Sequence, residues 1–102
     1  MMEFDYNLYE KKYSGGYLDH YLAMYSINQD GLSNENFESH NCMYVEMEGE
    51  EEFQNLKNEV LKVRQQDDVE MFLDLAKYHK IEGIDIEILD KLFVSIENHQ
   101  SN

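Results

Sequence analysis

Residues 2–9 alternate between apolar and polar positions for most of their length. Met2, Phe4, Tyr6 and Leu8 fall on one side and Glu3, Asp5 and Asn7 on the other. That period of two predicts a half-buried strand. Gly15 and Gly16 mark a turn, since glycine reaches positive φ without a steric penalty. Residues 17–27 admit two readings. As a helix they place Tyr17, Leu18, Tyr21, Leu22 and Tyr25 on one face; as a strand they close a hairpin on residues 2–9. The tyrosines at 9, 13, 17, 21 and 25 recur every four positions, a spacing that shares a face in either geometry. Residues 28–41 have the composition of a loop. Residues 42–48 alternate again, Met43, Val45 and Met47 against Tyr44, Glu46 and Glu48. A lone strand leaves its backbone groups unpaired, so pairing with residues 2–9 is expected.

From Glu50 the period becomes helical. Phe53, Leu56, Val60 and Val63 recur at threes and fours, and Glu50, Glu51 and Glu52 occupy a first turn, where the helix dipole favours anions. Asp67 is expected to cap a second helix, with Glu70 completing a capping box. Val69, Phe72, Leu73 and Ala76 then point inward, and Gly83 stands near the end of that helix. Asp85 caps a third, with Ile86, Leu89, Phe93 and Ile96 on one face. The expected fold is α+β: a small antiparallel sheet (2–9 and 42–48, with 17–25 as a further candidate strand) against a three-helix unit. Residues 1–102 form a single domain in this reading, sheet-containing over 1–48 and helical over 49–98.

Charge changes the picture from fold to function. The 102 residues carry 22 acids and 8 bases, a net charge of −14. With 42% apolar residues the chain still has material for a core. The charge repels nucleic acid and anionic membranes. No apolar run reaches the ~18 residues of a membrane helix, and the acidic N-terminus lacks the basic start of a signal peptide, so a cytoplasmic location is expected. One cysteine, Cys42, excludes an internal disulfide framework.

Candidate chemistry is sparse. The segment Ser26–Phe37 resembles a calcium loop only at its centre: with Gly31 at the sixth position, Ser26 and Phe37 fill the places of the first acid and the last glutamate. An Asp30-Gly31 turn is the better reading. His40 and Cys42 would share a face of an extended segment, but no second pair stands at ligand spacing; His20, His79 and His99 are scattered. Gly15-Gly16 leads into Tyr-Leu, not a phosphate loop. No enzyme activity, cofactor or metal is expected.

The informative feature is the run Glu46, Glu48, Glu50, Glu51 and Glu52, which sets five carboxylates in seven positions at a predicted junction. Residues 31–59, which contain it, hold eight acids and one lysine. Solubility asks for a net charge of only about 2–8, and a larger one destabilises the compact state by self-repulsion. A strongly basic partner accounts for the excess. Tyr17, Tyr21 and Tyr25 are candidates for its apolar contacts, with core packing the other use open to them; Asp67 and Asp68 extend the acidic set.

Residues 9–18 resemble the N-terminal segment of ArdA-type antirestriction proteins, through Lys12, Tyr13, Gly16 and Leu18. Proteins of that family mimic DNA and block restriction enzymes. The resemblance implies a hairpin over 2–25 and acidic surface residues as the binding determinants. The expected function is inhibition of a basic DNA- or RNA-binding enzyme, a restriction or CRISPR nuclease, by occupation of its nucleic-acid site. The alternatives are an immunity protein that neutralises a toxin nuclease and an antagonist of a transcription factor or nucleoid protein.

Overall fold

The computed structural model describes residues 4–13 and 15–99. Its organising element is a sixteen-residue helix whose apolar seam, Phe53, Leu56, Val60 and Val63, is fully buried. In chain order the helices are α1 (Tyr6–Lys12), α2 (Tyr17–Asn28), α3 (Asn34–Glu48), α4 (Glu50–Gln65), α5 (Val69–Tyr78) and α6 (Ile86–Asn98). Helix α4 packs on α2, α3 and α6, and α5 closes the bundle against α2 and α6. Short loops join the helices, but several of the packed pairs, α3 with α6, α2 with α4, α4 with α6 and α2 with α5, are not consecutive in the chain.

The described residues contain no strand, and this overturns the α+β expectation. The expected strand at 2–9 is α1 from Tyr6 onward, capped by Asp5, whose carboxylate accepts from the Leu8 N–H at 3.1 Å; residues 2 and 3 lie outside the described residues. The tyrosine-rich segment at 17–25 is α2, with Leu18, Tyr21, Leu22 and Tyr25 buried at helical spacing. The hairpin that the antirestriction likeness implies over 2–25 is therefore two helices instead. Much of the predicted loop 28–41, and all of the predicted strand 42–48, belong to α3. Its buried positions, Phe37, His40, Asn41 and Tyr44, form a proper helical face, but two of the four are polar, so the face is invisible to a hydrophobic count.

Most of the polar burial in α3 is satisfied by partners, the exception being His40 Nδ1, which has none among the described residues. The Tyr21 hydroxyl donates to Asn41 Oδ1 at 2.5 Å, and Asn41 Nδ2 donates to Ser95 Oγ at 2.7 Å. His40 Nε2 donates to the Tyr21 carbonyl at 3.0 Å. This chain ties α2, α3 and α6 together. Burial lowers the His40 pKa below its ordinary value, so the ring sits in the core as a neutral donor.

At the other end of the bundle α1 is held by aromatic packing and by Asp68. Tyr9 and Tyr13 meet Phe72 edge-on at 5.6 and 5.1 Å between centroids. The Tyr13 hydroxyl donates to Asp68 Oδ2 at 2.7 Å, and Lys12 Nζ lies 3.2 Å from the same carboxylate. Asp68, not Asp67, is the N-cap of α5, and its side chain makes no capping bond because it is spent on α1.

Helices α4 and α5 both end in Schellman turns. Asp68 N–H reaches the Val63 carbonyl and Ile81 N–H the Ala76 carbonyl, and the left-handed residues at the turns are Asp67 (φ 56°) and Lys80 (φ 64°). Glycine is the usual occupant of that position. Hence α5 ends before Gly83, at Tyr78. Lys80→Gly should raise stability by about 0.5–1 kcal/mol, since an exposed side chain with no hydrogen bond or ion pair among the described residues is exchanged for an unstrained backbone. Chemical denaturation checks this; an unchanged or lower midpoint would contradict the assigned turn.

Candidate functional site

Gly49 separates α3 from α4 and is at once the C-cap of one and the N-cap of the other. Its φ of 96° and ψ of 162° belong to a region open essentially to glycine alone. The chain folds back there in a single residue, so the last turn of α3 and the first turn of α4 form one knuckle. Glu46, Glu48, Glu50, Glu51 and Glu52 are all exposed on it. Met47 stands among them, 65% exposed. The ring of His20 on α2 lies against the knuckle, with Nε2 on Glu48 Oε1.

The two halves of the knuckle differ electrostatically. Glu50, Glu51 and Glu52 lie at the positive end of the α4 dipole, where carboxylates stabilise a helix. Glu46 and Glu48 lie at the negative end of α3, whose last turn holds no basic residue. Helix stability explains the first group and argues against the second. Glu46→Gln should therefore stabilise the chain by about 0.3–1 kcal/mol. A thermal melt reads this directly; a destabilised variant would mean that Glu46 has a structural role.

The bases are placed elsewhere. Arg64 binds Asp90 at 2.8 Å and also reaches Glu97, joining α4 to α6. Lys57 donates to the His99 carbonyl and Lys62 to the Lys12 carbonyl, each at 2.7 Å. With Lys12 on Asp68, half of the eight bases are engaged within the fold. Of the described acids only Glu59 is buried. Its two oxygens accept from the Tyr17 and Leu18 N–H groups at 3.2 and 3.0 Å. Gly16, the N-cap of α2, has no side chain for this, so Glu59 caps α2 from α4. Burial raises the Glu59 pKa above its ordinary value, against the two N–H donors, which lower it.

The tyrosine candidates are corrected. Tyr21 and Tyr25 are buried, with the Tyr25 hydroxyl donating to the Gly31 carbonyl at 2.7 Å. Their rings fill the core and are not available to a partner. Tyr17 is half-buried at the start of α2. Asp67 is exposed at the far end of α4, whereas Asp68 is committed to Tyr13 and Lys12. Sequence reasoning missed Met47, which alternation set with Met43 and Val45 opposite the glutamates, and Glu59, which was one acid among many.

The other constellations do not assemble. On α3, His40 is buried and Cys42 exposed: two residues apart on a helix point to nearly opposite sides. The Asp30 and Gly31 carbonyls accept from Asn36 Nδ2, each at 3.0 Å, so this loop is closed on itself. Among the described residues no group of three or more His, Cys, Asp or Glu could hold a metal ion, and no helix is long and apolar enough to cross a membrane. Comparison with protein-family models, curated proteins and solved structures finds no match to this chain.

Proposed function

We propose that the chain is an inhibitor of the anti-defence type, acting in the cytoplasm by occupying the nucleic-acid site of a basic DNA- or RNA-binding enzyme such as a restriction or CRISPR nuclease. The observation that carries the reading is the knuckle at Gly49, with five exposed carboxylates, two of them at the helix end where they are unfavourable. Rigid placement matters as much as number. B-DNA presents one negative charge per ~1.7 Å of axis, and a partner's groove built for that density will accept a close-spaced row of carboxylates fixed on two helices. Helix α4, about 24 Å long at its sixteen residues, carries acids at both ends, the knuckle at one and Asp67 at the other. Inhibition of this kind asks no catalysis of the chain and no binding of nucleic acid by it.

Apolar contact must accompany the charge, because steering sets encounter rate more than residence. With Tyr21 and Tyr25 in the core, Met47 takes that role at the knuckle; a flexible thioether adapts to an irregular partner surface. The test is capture from a lysate on the immobilised chain at low salt, with and without added DNA. The expected yield is a nucleic-acid-binding enzyme that DNA removes. Recovery of proteins that remain bound in excess DNA would overturn the reading.

A further inference from the structure

A cleft of about 720 Å³ opens between the first turns of α5 and α6. Val69 and Ile86 supply its apolar surface. By spacing, Ile86 belongs to the inward face of α6 with Leu89, Phe93 and Ile96, yet those three are fully buried and Ile86 is 43% exposed. The left-handed turn at Asp67 swings α5 off the end of α4, and none of the described residues covers the first turn of α6.

The rim is acidic. Asp67, Glu70 and Glu87 line it and have no ion-pair partner among the described residues; Asp90 is paired with Arg64, and Lys91 is the single opposing base. Glu70 and Glu87 also favour their helix dipoles, but that does not account for an isoleucine left in water between them.

We infer that this cleft docks a cationic segment of a partner protein, one that lays an apolar side chain on Val69 and Ile86 and sets Lys or Arg against Asp67, Glu70 and Glu87. The inference rests on the basic partner proposed above and adds a second contact, at the end of α4 opposite the knuckle. Charge complementarity selects the occupant: a neutral apolar segment would leave the three carboxylates beside it unpaired, and a purely cationic one would leave the isoleucine wet.

The experiment uses the full chain, isotope-labelled for amide spectra, and two short lysine peptides of equal charge, one with a central leucine and one with glycine in its place. The leucine peptide should bind about tenfold more tightly, the effect of burying one such side chain. It should shift the amides of Val69, Glu70, Ile86 and Glu87. Ile86→Ser should abolish the difference between the peptides without lowering the melting temperature; Val69→Ser should also abolish it, with some loss of melting temperature because Val69 packs against the core. Equal affinities, with shifts confined to residues 46–52, would overturn the cleft and leave the proposed function standing. Failure of both peptides to bind anywhere would overturn both.

Discussion

Glu59→Ala should lower stability by about 2–4 kcal/mol, because it orphans two N–H groups at the start of α2 that no neighbouring side chain replaces. For a chain of this size that is a fall of roughly 10 °C or more in melting temperature. Glu59→Gln keeps one acceptor and removes a buried charge, so its loss should be smaller, about 1 kcal/mol. The pH dependence separates the two contributions. The folded state raises the Glu59 pKa, so near and above the ordinary carboxylate range it holds a proton that the unfolded chain has lost. Stability from this group therefore grows as pH falls from neutrality through the raised value, and is lost as pH rises. His40 acts in the opposite sense. Its lowered pKa means that the unfolded chain takes up a proton first, so its contribution is lost as pH falls below its ordinary value of 6.5. Denaturation midpoints of the parent and Glu59→Gln across this range should diverge, the parent gaining more on acidification. Parallel curves would contradict the assigned cap.

Reversal of charge at the knuckle is the second large effect. A variant with Glu48→Lys, Glu50→Lys and Glu51→Lys should slow association with the basic partner by about 100-fold at low ionic strength. The fold should survive. Lysines in the first turn of α4 oppose its dipole at about 0.3–1 kcal/mol each, and relief of self-repulsion offsets part of this. The dissociation rate should change far less than the association rate. Added salt should slow the parent toward the variant, whereas Met47→Ala should act mainly on dissociation. Stopped-flow traces at two salt concentrations measure all of this; an unchanged association rate would remove the knuckle from the interface.

Three of the six helices among the described residues were legible in the sequence because their buried faces are almost wholly apolar. Phe53, Leu56, Val60 and Val63 mark α4 with no interruption, Phe72 and Ala76 mark α5, and Leu89, Phe93 and Ile96 mark α6. Helix α3 hid for two physical reasons. His40 and Asn41 occupy half of its buried face, and their burial is licensed by Tyr21 and Ser95, residues distant in sequence. Its start was also obscured. Ser33 is the cap and accepts from the Asn36 N–H at 3.1 Å, but the third helical position is asparagine, whose side chain turns back to Asp30 and Gly31, so the usual glutamate of a capping box is missing. In α2 the spacing of four cannot separate helix from strand. The carboxylates of the candidate site were readable because exposure is the default for glutamate. The tyrosines were not, since a phenol serves equally in a core that offers Asn41 or the Gly31 carbonyl to its hydroxyl and at a surface that offers a partner.

The most direct measurement of the mimicry is the apparent affinity of the chain for its purified basic partner across a titration of that partner's own DNA or RNA. Mutual exclusion predicts an apparent Kd that rises in proportion to nucleic-acid concentration without limit, and no ternary species by native mass spectrometry. An apparent Kd that levels off, or a complex holding inhibitor, enzyme and nucleic acid together, would contradict occupation of the nucleic-acid site.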